Sequence, residues 1–438
     1  MRKLFLLLVF SLFAGRAQAS PVEGFWIGAA TRGGENRPVT FEIVATPQGL
    51  RARYNIPVLG LAGIPLNDFA FDPASGAISA GHAFRGRLVA GRLTGALMPL
   101  MLHEGGVQVS LTRADRLPSP GTREREVAFT SHGHLLRGLL VSPLQPGHYP
   151  ALVSLHGSGP STRWLALARA RRFAEAGYAM LIFDKPGNGE SEGDWTMMSL
   201  DDMAADAVQA VAFLRAQPEI DPARVGLWGH SQAGWIVSRA AVLPANHIAF
   251  AIVLAGGGAT PREVEDFGYA GRLRHAGASA AAAERAMAWV RSYFAYVTTG
   301  QGYDNLVGQL RAEPGAEWVR ALGVSTVYPT PAQQPKWQWV ATYDPAADIR
   351  RIRIPLLLLF PDRDVESPAQ SLGRWRENLR AGGNRNVEWH VFADTEHHFL
   401  TPAVTSGWPS IVPGYYERQI AWLERWVGRA RRSFRSAG

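Results

Sequence analysis

The chain of 438 residues contains no cysteine. That absence excludes a disulfide framework, a thiolate nucleophile, cysteine-ligated zinc or iron–sulfur centres, and a lipidated N-terminal cysteine. Lysine is nearly absent too, with Lys3, Lys185 and Lys336 the only ones among 45 basic residues. The arginines are scattered, apart from a dense run at residues 429–435. A nucleic-acid footprint needs a basic stripe on one element of a recognised fold, so no nucleic-acid partner is expected. The run reads as a solvated helix end, where cations favour the helix dipole. Long apolar stretches are missing as well. The run at residues 4–14 is too short to cross a hydrocarbon core of roughly 30 Å, and no stable membrane anchor is expected.

What is present is the composition of a globular protein, 47% hydrophobic and 19% charged, in a length that suits two or three domains. Met1-Arg2-Lys3 forms a positive start before the apolar run, and Ala17-Gln18-Ala19 is the small-x-small pattern of a signal-peptide cleavage site. Residues 1–19 are therefore expected to be a signal peptide cut before Ser20. Losing Arg2, Lys3 and Arg16 takes the formal net charge from +8 to +5. The expected destination is outside the cytoplasm, in the periplasm or the medium.

From residue 20 to about 117 short strand patterns alternate with turn clusters. Candidate strands lie at 25–31, 39–46, 50–56, 69–71, 87–94 and 106–111. Thr40, Glu42 and Val44 alternate with Phe41, Ile43 and Ala45, the period of a half-buried strand. The expectation is a small antiparallel β-barrel or sandwich domain. His82 and His103 stand alone in it and read as surface or structural. Leu117-Pro118-Ser119-Pro120-Gly121 reads as a linker.

After it strands alternate with helices, the mark of a mostly parallel sheet flanked by helices. The domain is expected over residues 122–432. A hairpin at 124–130 and 135–141 is followed by strands at 151–156, 178–184, 225–228, 248–254, 354–360 and 387–392. Helices are expected at 164–176, 200–216, 233–242 and 415–430. The stretch between 255 and 354 is too long for a loop and predicts a helical cap at about 262–348. Gly256-Gly257-Gly258 opens it as a flexible junction.

Chemistry gathers at the strand ends. Gly229-His230-Ser231-Gln232-Ala233-Gly234 sits between a buried strand and a helix, the context of a serine nucleophile elbow. Small residues two positions either side of Ser231 let a strained turn form, with Ala233 standing where glycine is usual. A serine alkoxide needs a base, an acid that orients it, and an oxyanion site. Asp394-Thr395-Glu396-His397-His398-Phe399 follows the last strand and offers His397 as base, with His398 as alternative. Pro361-Asp362-Arg363-Asp364-Val365 follows the preceding strand and offers Asp364, with Asp362 as alternative. His156-Gly157-Ser158-Gly159-Pro160 follows another parallel strand, where glycines let backbone N–H groups face an oxyanion. The donors expected are the N–H groups of Gln232 and of Ser158, with Gly159 as alternative.

These motifs resemble the α/β-hydrolase superfamily: His156–Pro160, Arg163, Asp184-Lys185-Pro186-Gly187-Asn188-Gly189-Glu190-Ser191, the elbow, and Glu396-His397-His398-Phe399. More closely the chain is similar to exported bacterial carboxylesterases of the EstD type, which carry a β-rich domain before the hydrolase. The resemblance implies the α/β-hydrolase fold with a helical cap, and a structural turn at 184–191. It also implies hydrolysis of small-molecule carboxylic esters through an acyl-enzyme on Ser231.

The segment 187–191 lacks the Gly-Lys-Ser/Thr ending of a phosphate loop. His132-Gly133-His134 sits where a hairpin turn is needed, and His397-His398 lacks a third ligand at helical spacing, so no metal and no cofactor is expected. Asp201, Asp202 and Asp206 read as the exposed start of a helix. The cap is rich in aromatics, most of them its own core, the rest a lining for an apolar acyl pocket. Glu263, Glu265 and Asp266 open the cap and bring in the alternative, a serine exopeptidase of aminopeptidase or dipeptidyl-peptidase type holding a free amine of a short peptide. A non-catalytic envelope-binding protein is the remoter alternative.

Overall fold

The computed structural model describes residues 20–100, 102, 105–117, 119, 121–401 and 407–428. The expected signal peptide, His103, Pro118 and Pro120 of the linker, and the C-terminal arginine run lie outside the described residues. The described chain divides into two compact units. One holds the described residues within 20–31, 36–55 and 65–117, and the other holds those within 32–35, 56–64 and 119–428.

The N-terminal sheet is antiparallel and has nine strands: β1 (Gly24–Arg32), β2 (Glu35–Thr46), β3 (Gly49–Ile56), β4 (Leu61–Leu66), β5 (Phe69–Phe71), β6 (Ala77–Ala80), β7 (Phe84–Val89), β8 (Arg92–Leu97) and β9 (Val107–Ala114). Their order is β4-β3-β2-β1-β9-β8-β7-β6-β5. Alternation produces its core: Val39, Phe41 and Ile43 of β2 are buried while Thr40 and Glu42 are not. β4 and β6 were not legible in the sequence. The single strand expected at 87–94 is two strands, because Ala90 (φ 47°) and Gly91 (φ 74°) form a tight hairpin turn in the left-handed region.

The second sheet has the order β10-β11-β13-β12-β14-β15-β16-β17, from β10 (Thr122–Ser131), β11 (His134–Pro143), β12 (Tyr149–Ser154), β13 (Ala179–Phe183), β14 (Ile220–His230), β15 (Ala251–Leu254), β16 (Leu356–Pro361) and β17 (Val387–Phe392). β10 and β11 are an antiparallel hairpin turned at His132 (φ 48°) and Gly133 (φ 78°), and strands β12 to β17 run parallel. Helices α1 (Leu167–Glu175), α2 (Leu200–Arg215), α3 (Ala233–Ala240), seven cap helices α4–α10 between Pro261 and Ile349, α11 (Gln370–Ala381) and α12 (Tyr415–Trp426) lie in the same unit, with a short antiparallel strand pair at Leu400–Thr401 and Ser410–Ile411. This is the α/β-hydrolase fold preceded by an antiparallel β sheet. Among the described residues no helix is long and apolar enough to cross a membrane.

Burial on both faces explains the uninterrupted apolar strands. Val153, Leu227, Val253 and Leu358 pack with Ala204, Ala207 and Val211 of α2 and Trp375 of α11. Their chain neighbours Leu152, Trp228, Leu254 and Leu359 pack on the other face with Phe173 of α1 and Trp422 of α12. After β12 the chain pairs first with β13 on one side and later with β14 on the other. The loops leaving β12 and β14 therefore part above a topological switch point, where open α/β sheets bind ligands. In the cap, Trp289, Phe294, Tyr296 and Trp318 form a core of their own. Trp337 and Trp339 belong instead to the main core, against Trp235 of α3.

Candidate active site

Ser231 occupies the turn from β14 into α3 with φ 59°, a conformation that side-chain-bearing residues seldom hold. Small neighbours hold it there. A Cβ on Gly229 would stand 2.9 Å from that of Ala233, and one on Gly234 would stand 2.4 Å from the Gly256 carbonyl carbon. The Ser231 N–H donates to Leu254 O at 2.9 Å, tying the turn to β15. Gln232 is the buried residue before α3, so its N–H and the next belong to the first turn, which has no partners within the helix.

Gly256-Gly257-Gly258 corrects the reading of a flexible junction. A Cβ on Gly256 would lie 1.9 Å from Ser231 O, and one on Gly258 2.1 Å from Ser371 O. Trp375 Nε1 donates to Gly256 O at 3.0 Å. The triplet is a packed turn, and glycine is there because the elbow's backbone touches it.

The acid and histidine loops meet. His397 Nδ1 lies 2.8 and 3.0 Å from the two Asp364 carboxylate oxygens, and both side chains are about 5% exposed. Asp362 points elsewhere, accepting from Thr395 N at 3.2 Å. Burial lowers the proton affinity of His397, yet the Asp364 hydrogen bond and charge, with Glu366 and Glu396, raise its pKa above the ordinary value. His397 Nε2 is buried without a hydrogen-bond partner. His397 also sits against the elbow: its carbonyl accepts from His230 Nε2 at 2.9 Å, and the two rings are 4.7 Å apart. Burial holds His230 neutral, with its pKa well below the ordinary value, so its Nε2 proton is the donor. The sequence reading missed this residue, whose signal is only its place in the elbow.

The loop after β12 lies over the serine, with a Cβ built on Gly157 3.8 Å from Ser231 Cβ. Ser158 is exposed and Gly159 has φ 76°. Lys185 was read only as part of a structural turn. It is buried, and its Nζ donates to Gly157 O and Gly159 O at 3.0 Å each. The turn itself is built on the Arg163–Asp184 pair at 2.9 Å and on Glu190.

The three cap acids separate. Glu263 completes the capping box of Thr260 at the start of α4 (Pro261–His275) and pairs with Arg374, and Asp266 pairs with Arg262. Glu265 is half-buried. Burial raises its pKa, Arg272 opposes the rise, and the charges of Glu366 and Asp266 add to it. Glu366 itself is exposed, with Oε2 3.7 Å from His397 Nε2. Asp206 corrects another reading. Asp201 pairs with Arg239 and Asp202 caps α2, but Asp206 is buried against Ser131, and desolvation raises it to about 6.

The quorum-quenching protein AidA of Acinetobacter baumannii is 34% identical over 110 residues, 25% of this chain and 36% of that one. Esterase EstD of Thermotoga maritima is 24% identical over 275 residues, 61% of this chain and 58% of that one. An esterase structure from Pyrococcus furiosus superposes with a TM-score of 0.46 at 19% identity, over 70% of this chain and 92% of that one. The chain spans between a third and a half of the length of the first curated relatives it matches. Residues 132–397 match the X-Pro dipeptidyl-peptidase (S15) family, a span that takes in the β12 loop, the elbow, the acid loop and His397. With more than half of its length inside that match, and an α/β-hydrolase sheet carrying a serine elbow, this chain belongs to the X-Pro dipeptidyl-peptidase (S15) family.

Proposed function

We propose that this chain is a serine exopeptidase of dipeptidyl-peptidase type. Ser231 attacks the carbonyl of a short peptide bearing a free N-terminal amine and forms an acyl-enzyme. His397 Nε2 takes the serine proton and returns it to the leaving amine. Asp364 accepts from Nδ1–H and stabilises the imidazolium that forms. The N–H groups of Gln232 and Ser158 receive the oxyanion. The observation that carries the reading is the acidic approach to His397. Glu366 stands 3.7 Å from Nε2, and half-buried Glu265 feels its charge. A carboxylate beside the base and a second one within its field suit an ammonium group on the substrate, whose charge relieves their repulsion. The S15 family match supports the same reading.

The ester reading keeps the same nucleophile and base. The extent of the likeness to Esterase EstD, 61% of this chain, favours it and is the support for the narrower EstD-type resemblance. A panel separates the two: Xaa-Pro and aminoacyl 4-nitroanilides, their N-acetylated forms, and 4-nitrophenyl butyrate. The exopeptidase reading expects N-acetylation to cut kcat/KM by about tenfold or more, the loss of at least one charge contact of ~1.4 kcal/mol. It also expects Glu366→Gln to raise KM for the free amines only. Turnover of the butyrate ester with every anilide inert would establish the esterase instead. With the leader at residues 1–19, the place of action proposed is the periplasm or the medium.

A further inference from the structure

Lys185 is 3% exposed in a chain with three lysines, and its ammonium meets no carboxylate within ion-pair reach among the described residues. The neighbouring Asp184 is taken up by Arg163, through its backbone N–H at 2.8 Å and its guanidinium at 2.9 Å, and by the Glu190 N–H at 3.0 Å. Lys185 instead holds three carbonyls of one loop. Its Nζ donates to Gly157 O and Gly159 O at 3.0 Å each, and its backbone N–H donates to Ser161 O at 3.1 Å. Trp195 covers the ammonium, with the ring centroid 4.4 Å away. Burial lowers the Lys185 pKa to about 8, which leaves the group mostly charged at neutral pH.

The two carbonyls are not equivalent. In a trans peptide the C=O and N–H lie on opposite edges of one plane. The Gly157 carbonyl shares its plane with the Ser158 N–H, the donor expected for the oxyanion. Anchoring that carbonyl fixes the direction of the N–H, and a cation on the oxygen polarises the N–H further. The Gly159 carbonyl shares its plane with Pro160, which has no N–H, so the second bond anchors the loop without spending a donor. The anchored segment lies beside the nucleophile, since a Cβ built on Gly157 would stand 3.8 Å from Ser231 Cβ.

We propose that Lys185 is a positioning residue for the oxyanion hole, its ammonium holding the Gly157–Ser158 peptide plane so that the Ser158 N–H meets the tetrahedral intermediate on Ser231. The proposal rests on the reading of Ser231 as nucleophile. The test measures kcat, KM and cooperative melting of Lys185→Met, Lys185→Gln and Lys185→Arg in the full chain, with Ser231→Ala alongside, on the panel substrate the wild type turns over fastest. Losing the alignment of one donor predicts a fall in kcat of about 30- to 300-fold for Lys185→Met, with KM within about threefold of wild type. Lys185→Arg, which keeps the charge, should recover about a tenth of the wild-type kcat or more. A folded Lys185→Met with kcat within about threefold of wild type overturns the proposal, as does a loss confined to KM. Loss of cooperative melting in all three lysine variants assigns Lys185 to stability alone and also overturns it. Wild-type turnover by Ser231→Ala would overturn the nucleophile reading itself, a result separable from any of these.

Discussion

Adding one methyl at Gly256 tests whether the elbow is held by close backbone packing. A Cβ there would lie 1.9 Å from Ser231 O, 2.6 Å from its carbonyl carbon and 2.8 Å from its Cα. All three are backbone atoms, so no rotamer change relieves the contact. Ordinary contact between heavy atoms needs roughly 3.5 Å, so the elbow or β15 must retreat by more than about 1 Å. Displacement of that size costs about 100-fold in rate when it moves a reacting atom, and overpacking costs about 1–3 kcal/mol of stability. Gly256→Ala is therefore expected to lower kcat by about 100-fold and stability by about 3 kcal/mol, read from steady-state kinetics and urea unfolding. Gly373→Ala is the matched control: it lies in α11 with nothing within 4 Å of a new Cβ, and should gain about 0.5–1 kcal/mol at unchanged kcat. A Gly256→Ala enzyme that matches the control in both measurements would refute the packing argument.

Asp364→Asn should cut kcat by up to about 10⁴-fold while Asp362→Asn leaves it nearly intact, and the same contrast should separate His397→Ala from His398→Ala. Equal losses within either pair would show that the loops rearrange. Because the Asp364 and Glu366 charges outweigh burial at His397, kcat/KM should fall on acidification with a midpoint above the unperturbed value of about 6.5. Glu366→Gln should move that midpoint down, and a pH profile with no such movement would remove Glu366 from the electrostatics of the base. Asp206 has its pKa raised by burial to about 6, so the folded state binds its proton more tightly than the unfolded chain does. Stability should therefore fall as pH rises from about 4 to above 6, by at most about 3 kcal/mol. Asp206→Asn keeps an acceptor for Ser131 and should raise the melting temperature at pH 7.5 much more than at pH 4. Equal effects at both pH values would contradict the assigned charge state.

Much of the second unit is legible in the residues alone because its signals are local. The parallel strands read as apolar runs since both faces are buried, and the elbow reads from small residues at fixed offsets around Ser231. Period-two alternation likewise marks most strands of the N-terminal sheet. It failed at residues 87–94, where one pattern runs through a turn that only the left-handed φ of Ala90 and Gly91 reveals. Sequence narrowed the acid to Asp362 or Asp364 and the histidine to His397 or His398. The tertiary structure brings Asp364 to His397, a choice that depends on where two loops 33 residues apart converge. The contacts of Gly256, Lys185, His230 and Asp206 were not readable at all. Each arises from an atom that the fold delivers from far along the chain: Ser231 to Gly256, the Gly157 carbonyl to Lys185, His397 to His230 across 167 residues, and Ser131 to Asp206 across 75. Periodicity and turn sterics are properties of neighbours in sequence. Close approach, charge state and the direction of a peptide plane belong to neighbours in space.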